Sequence, residues 1–452
     1  MSKREKTRIF IGGNLFDATD GNIKKDSVVV VKGDRFTYIG EKKDYVLPEG
    51  DDVEVIDTAG KTVLPGLIET HCITAMIGDA GPNDAAISTE MSKMEMLMRG
   101  VSKLRACYHM GFTSIREGGS GWGWYEVALR DALRRGDVDG PRYQAVGYHI
   151  TVSGGHSCYF PYHIGRHRLE ETAGYFADGP DEWRKVARLN IWNKTDYVKV
   201  VCSSDLADGV APIDPTTSQA TQEEISAAVE EAHRANRKVI AHCEGKTAIM
   251  KAINAGVNII THGFWMDEEC AELMARNNIY WEPTNAYARN QYWGCTDQVP
   301  EEWLDIFGNY LPESCFERSI NNWEDKQKNF KKLIDNTGVK VLLGSDTGAP
   351  WVWYGENAQE LEANVELGQS TRDALFSCTK WAAESCDWID EVGTIEKGKR
   401  ADLVIVDGDP LENISVLLDE DKIQRVVRDG EDVVYRPEPL NKTLRERITW
   451  LG

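Results

Sequence analysis

The sequence predicts an α/β protein: a (β/α)8 TIM barrel with a small β-sandwich built from its N- and C-terminal segments. Through the middle of the 452-residue chain, short apolar runs alternate with helical patterns. Both ends instead read as short strands joined by polar turns. Five residues also close β-like runs in chain order: His71 in LPGLIETHCI, Lys199 in DYVKVV, His242 in KVIAHCEG, His262 in NIITHG and Asp346 in VKVLLGSD. Imidazole, carboxylate and a lysine open to carbamylation are the ligands with which a divalent metal activates water.

The runs RIFIGGNLFD, DSVVVVKGDRFTYIG and VEVIDTAGKTVLPG alternate apolar and polar residues as in an antiparallel sheet, and VGTIEKGKRADLVIVDGDP and IQRVVRDGEDVVYR repeat that texture. Residues 1–64 and 394–452 are therefore expected to form one composite sandwich, interrupted by a barrel over 65–393. Its first strand is LPGLIETH. FTSIRE then precedes YEVALRDALRRG, and RYQAVGY follows. YVKVV precedes TQEEISAAVEEAHRA, KVIAHC precedes TAIMKAINAG, and NIITHG precedes DEECAELMARN. IYWEPT and KVLLGSD complete eight strands, the last leading to a stretch that begins near Glu360. Asn285 to about Asn336 is too long for an ordinary loop and is expected to hold helices, as a lid or an oligomer contact. In such a barrel, catalytic residues sit at the C-terminal ends of strands, where the five candidates lie.

A formal charge of −21 argues against nucleic-acid and anionic-membrane partners, which need basic patches. The N-terminal MSKREKTR has no long apolar run behind it, and no run is long enough to span a bilayer. Ten scattered cysteines without a C-x-x-C pair fit reduced thiols. A soluble, cytoplasmic location with a small-molecule substrate is the expectation.

Lysine inside apolar YVKVV is the most informative of the five, because a buried ammonium is costly whereas a carbamate on it would be anionic and could bind metal. The chain resembles the amidohydrolase superfamily, in the branch with prolidase-like and imidazolonepropionase-like enzymes. The resemblance rests on LPGLIETH, GFTSIREGG, ALRDALRRGDVDGPR, TVSGGH, YVKVV, VIAHCEG, THG, LGSDTG and GTIEKGKRADLVIVDGDP, which sample nearly the whole chain. It implies hydrolysis of an amide, lactam or related C–N bond, with metal ligands His71, Lys199, His242, His262 and Asp346. Enzymes of this kind are by default homo-oligomers.

Two departures accompany it. The family reads His-x-His after the first strand, and here the chain reads His71-Cys72-Ile73. Isoleucine cannot ligate metal, so the expectation is about one ion per chain, carried by carbamylated Lys199, His242 and His262. Zinc is the first candidate, with manganese or iron as alternatives. Should two ions bind, Cys72, Glu69 or His163 would have to replace the lost ligand; Cys72 is disfavoured because adjacent strand side chains face opposite ways. Glu117 stands where many relatives have Asp.

Asp346 is expected to serve as general base, as metal ligand, or both. His156, in TVSGGHS, is expected to bind the substrate carbonyl and its oxyanion. Tyr159, Trp265, Tyr287 and Trp351 supply aromatic faces for a flat or cyclic substrate, and Arg289 a cation for a carboxylate; Arg166 and Arg168 share that reading. His163 and His167 have metal-pair spacing in a segment poorly suited to a helix, while His109, His149 and His233 read as structural or surface residues. Alternative functions are a heteroaromatic deaminase, a single-metal lyase or decarboxylase, and a ligand-binding barrel that has lost catalysis.

Overall fold

The computed structural model describes residues 6–76, 91–119, 123–157, 174–206, 214–296, 313–349 and 351–435. Tyr159, His163, Arg166, His167 and Arg168 lie outside them.

The N-terminal strands are β1 (Thr7–Phe16), β2 (Ile23–Lys32), β3 (Arg35–Glu41), β4 (Val53–Asp57) and β5 (Thr62–Pro65). The barrel region supplies β6 (Leu67–Cys72), β7 (Phe112–Glu117), β8 (Arg142–Gln144), β9 (His149–Thr151), β10 (Gly174–Phe176), β11 (Tyr197–Val201), β12 (Lys238–Gly245), β13 (Ile259–Trp265) and β14 (Tyr280–Glu282). The chain ends in β15 (Leu403–Val406), β16 (Ile423–Arg428) and β17 (Glu431–Tyr435).

The terminal strands join as one eight-stranded sheet in the order β17-β16-β15-β5-β1-β2-β3, with β4 also on β1. The seam is β15 against β5, where Leu403 faces Pro65 and Ile405 faces Val63. The expected antiparallel pattern holds for β1 with β2, but β1 runs parallel to β4 and β5. Alternation tells which face a residue takes, not which strand lies beside it. Phe10 points into a core with Val29, Phe36, Leu403 and Val427, whereas Ile9 and Ile11 point to the other face with Val28 and Val30.

The barrel region is TIM-barrel-like, but among the described residues its strands do not close into one sheet. They form a parallel three-stranded sheet β6-β7-β8 and a parallel six-stranded sheet β10-β9-β11-β12-β13-β14. RYQAVGY breaks between β8 and β9, where Gly147 has φ +80° and Glu126 accepts from the Val146 and Gly147 amides. KVLLGSD forms one isolated bridge, Val341 with Trp281, and Thr347 just after it forms another with Cys72. Hydrogen bonds from Leu342 N to Trp281 O (2.8 Å) and from Thr70 N to Leu343 O (2.9 Å) still hang it between β14 and β6. The positive φ of Asp346 (+62°) turns the chain out of strand geometry there.

Helices coat the parallel strands because their apolar stripes need cover. Gln222–Arg234 opens with a capping box between Thr221 and Glu224 and buries Ile225, Ala228, Val229 and Ala232. The expected helices after the seventh strand are Asn285–Gly294 and Glu313–Thr337. Among the described residues no helix is long and apolar enough to cross a membrane, and the described cysteines are free thiols.

Candidate metal centre

β6 is buried along its whole length and carries Glu69 and His71. Glu69 accepts from His71 N (2.7 Å), Ser345 Oγ (2.6 Å) and Asn357 Nδ2 (3.0 Å); burial nevertheless pushes its carboxyl up to about 7. These contacts tie β6 to the segment bearing Asp346.

His71 Nδ1 lies 2.9 Å from Glu282 Oε2, at the end of β14. The other Glu282 oxygen takes the buried Arg116 guanidinium, and Thr261 Oγ1 donates to Oε2 at 3.2 Å. Burial alone would raise Glu282, but Arg116 and His71 outweigh it and hold the carboxyl at about 2. An ionised carboxylate is acceptor-only, so the Glu282 contact places the His71 proton on Nδ1. Burial and the Lys199 charge bring His71 down to about 4, so it is neutral near pH 7 and Nε2 carries a lone pair.

That lone pair faces Asp346 Oδ1 at 3.4 Å, and Asp346 Oδ1 is buried without a hydrogen-bond donor. Two acceptors in contact, one orphaned, are the arrangement a bridging cation satisfies. His262 completes the group: ligand atoms of His71, His262 and Asp346 lie within 4.8 Å of one another, and all three residues are buried. His262 is turned there by a φ of +71° and by Thr284 Oγ1, 2.9 Å from Nδ1. Burial, with Asp205 adding its charge, raises Asp346 to about 7.

Lys199 is buried and reaches Thr261 Oγ1 at 3.3 Å. Burial lowers its amine to about 8 against the pull of Glu282 and Asp346. Of the expected trio of Lys199, His242 and His262, the two histidine rings lie 4.5 Å apart. His242 also has the ligand atoms of His156 and Asp205 within 4.8 Å. Its Nε2 sits 3.3 Å from Ser204 O, and its ring stacks on His156 at 4.5 Å and 15°.

Glycines let a loop close over the inner cluster. A Cβ on Gly118 would overlap the His71 ring, and one on Gly119 the His149 ring. His149, expected to be a bystander, therefore belongs to the site's wall: Nδ1 is 3.3 Å from Ser157 Oγ, and burial with the Lys199 charge pushes the ring well below its ordinary value. Glu117 instead holds the loop after β6, accepting from Thr74 Oγ1 (2.6 Å) and from Tyr143. Cys72 packs outward with Leu104, Cys107 and Ile115, as strand alternation requires. Ile73 is buried.

Of the expected substrate contacts, Tyr287 donates to Asp205 Oδ1 at 3.2 Å and stacks on Phe264, which also meets Trp265 edge-on. Trp351 is buried, and its carbonyl accepts from Asn290. Arg289 points elsewhere: it pairs with Glu362 (3.1 Å) and Glu366 (3.3 Å) and lies over Trp293. Two residues apart on one helix, Tyr287 and Arg289 take opposite faces. Asp205, Glu282, Arg116 and His149 are the site residues that the sequence reasoning missed. Each is at or near a strand end, the same signal that marked the others.

A ring of imidazoles and carboxylates at strand ends of a barrel-like α/β fold is the layout of a metal-assisted hydrolase. The chain belongs to the amidohydrolase family, which its residues 62–433 match. It is 30% identical over 351 residues to the ochratoxinase of Aspergillus niger, covering 74% of this chain and 68% of that protein. The crystal structure of a Xaa-Pro dipeptidase with bound methionine in its active site matches with a TM-score of 0.81 at 26% identity, covering 94% of this chain and 99% of that one. A prolidase complexed with N-methylphosphonate-L-proline matches at 0.82 and 26%, covering 95% and 100%. The protein is thus a hydrolase acting on amide bonds, from a family that generally binds divalent metal.

Proposed function

We propose that this protein hydrolyses the amide, lactam or related C–N bond of a small molecule with a cyclic or aromatic group, using one tightly held divalent ion at His71, His262 and Asp346. The observation that carries this reading is the His71 lone pair facing the orphaned Asp346 oxygen inside a buried pocket. The donor set of two imidazoles and a carboxylate favours zinc, with manganese or iron as alternatives. When bound, the ion supplies Lewis acidity and lowers the pKa of water.

The chain's own groups do the rest. Asp346, with Oδ1 turned to the ion site, is suited to accept the proton of the attacking water on its other carboxylate oxygen and to return it to the leaving nitrogen as the C–N bond breaks. Glu282 and Arg116 keep His71 in one tautomer and orientation. Phe264, Trp265 and Tyr287 offer ring faces to a flat substrate, and the Xaa-Pro dipeptidase among the structural matches supports a small one. Burial brings Lys199 down to about 8, which enlarges the fraction of neutral amine that carbon dioxide needs for carbamylation, and the product would be an anionic ligand beside the ion.

Metal analysis of the purified protein, followed by a screen of dipeptides and cyclic amides, tests the reading. Lys199→Ala is expected to lose tight metal binding and turnover, with partial rescue of both by a short carboxylic acid. A variant with full metal content and rate would remove Lys199 from the site.

A further inference from the structure

The helices Glu313–Thr337 and Gln359–Glu366 each bury a charged side chain, Lys326 on the first and Glu360 on the second. Neither belongs to the clusters described above. They meet at one turn, Pro283 to Ala286, which leads from β14 into the helix Asn285–Gly294. Thr284 in that turn is β-branched yet left-handed, with φ +47° and ψ 44°, a conformation that persists only where its surroundings hold it. Its side chain does not cap the helix; the hydroxyl lies 2.9 Å from His262 Nδ1 instead. Glu360 takes over the cap, accepting from Asn285 N (2.9 Å) and Ala286 N (2.6 Å). Lys326 Nζ donates to Asn285 Oδ1 (2.6 Å) and Pro283 O (3.4 Å), and Asn285 Nδ2 donates to Asn364 Oδ1 (2.7 Å). The left-handed residue is thus fastened on both sides by buried groups. The same lysine stands over the rings of Phe264 (4.8 Å) and Trp281 (5.7 Å). Trp281 Nε1 donates to His262 O at 2.9 Å, and the Phe264 ring lies 5.4 Å from the His262 ring. Burial pulls the Lys326 amine down and pushes the Glu360 carboxyl up, and each opposes that shift in the other.

We propose that Lys326 and Glu360 are positioning residues for the hydrolysis, holding Thr284 in its left-handed turn so that its hydroxyl fixes the ring of His262. A neutral imidazole that turns Nε2 to the inner cluster carries its proton on Nδ1, and the Thr284 oxygen accepts it. Losing either charge loosens the same turn. Glu360→Gln replaces one acceptor oxygen with a donor, and Lys326→Met leaves a buried carboxyl that takes up a proton. Both changes offer fewer acceptors to the two amides. The inference rests on His262 serving the proposed reaction.

The test is 15N NMR of the nine histidines in the metal-free full chain, with His262 assigned from the spectrum of His262→Gln, alongside steady-state rates at matched metal content. In the parent, His262 is expected as a single tautomer protonated on Nδ1. In Lys326→Met and Glu360→Gln its shifts should move toward a mixture of tautomers. Turnover should fall about 10-fold, the lower end of what an outer-shell partner is worth, with kcat changing more than KM. Thr284→Ser keeps the hydroxyl but lacks the branch that a left-handed backbone strains, so adding it should restore part of both losses. The double variant Lys326→Met/Glu360→Gln strands no buried charge and repeats the result where a single variant does not fold. Parental shifts and rates in the folded variants would overturn the proposal and leave the two residues a purely stabilising role. Shifted tautomers in a protein that binds no ion would uphold the positioning and overturn the metal reading alone.

Discussion

The two imidazole–carboxylate clusters stand one ring apart, with the His242 and His262 centroids separated by 4.5 Å, yet they are held by different chemistry. The inner one hangs on ions: Arg116 fixes Glu282, Glu282 fixes His71, and none of the three is more than 2% exposed. The outer one is held by a glutamine, a tyrosine hydroxyl, backbone amides, the Glu244 carboxylate and a glycine without side-chain bulk. Buried charged chains are stiff and orient a ligand strongly, but they tolerate no missing member. A neutral clamp such as the glutamine costs less to break and lets the loop adapt to what enters. On the proposed function, water activation falls to the inner cluster and the outer one is left for binding.

The largest expected effect comes from the group that would move the proton. Asp346→Asn keeps shape and leaves an amide oxygen as a weaker ligand, so fold and most of the metal should remain. Turnover should drop ~10²–10⁴-fold, the usual worth of general acid–base catalysis. Steady-state rates with matched metal content check it. A near-parental rate would take proton transfer away from the inner cluster and break the division just drawn.

Glu282→Gln ranks next. It strips the charge that pairs buried Arg116 and offers an amide in place of an acceptor-only partner for His71. Breaking a buried pair in this way typically costs about 3–5 kcal/mol of stability. Loss of an outer-shell partner typically weakens metal binding ~10–100-fold. Denaturant unfolding and metal titration should show both effects. Parental values in both would mean that the Glu282 charge does not hold the inner cluster.

The strand ends were legible because ligand-type side chains there break an otherwise apolar run. The partnerships among them were not. The rings of His242 and His262 are each turned by a residue far along the chain, Ser204 for one and Thr284 for the other. Neither contact leaves a mark in local periodicity. Asp205 and Glu282 were passed over although they close β-like runs like the five chosen residues, because each sits in an ordinary-looking tripeptide, SSD or YWE. His149 read as ordinary because its neighbour Gly119 reaches it only through the fold. The composite terminal sheet was visible as texture, whereas the parallel placement of β4 and β5 beside β1 depends on how the chain crosses over.

The smallest effect tests the neutral clamp. Gly155 has Gln219 Oε1, Cδ and Nε2 within 2.7–2.9 Å of where a Cβ would stand. A free glutamine end would swing aside at little cost. Gln219 is not free: besides His156 N, it meets Thr151 Oγ1 at 3.0 Å and Val201 O at 3.1 Å through Nε2. Gly155→Ala should therefore displace His156 rather than Gln219 alone, at the ~1–3 kcal/mol typical of overpacking. In a Gln219→Ala background the obstruction is gone, so adding Gly155→Ala should cost much less than in the parent, a coupling that a double-mutant cycle reads directly. If the two substitutions simply add, the glycine acts by backbone freedom and the glutamine clamp is not what places His156.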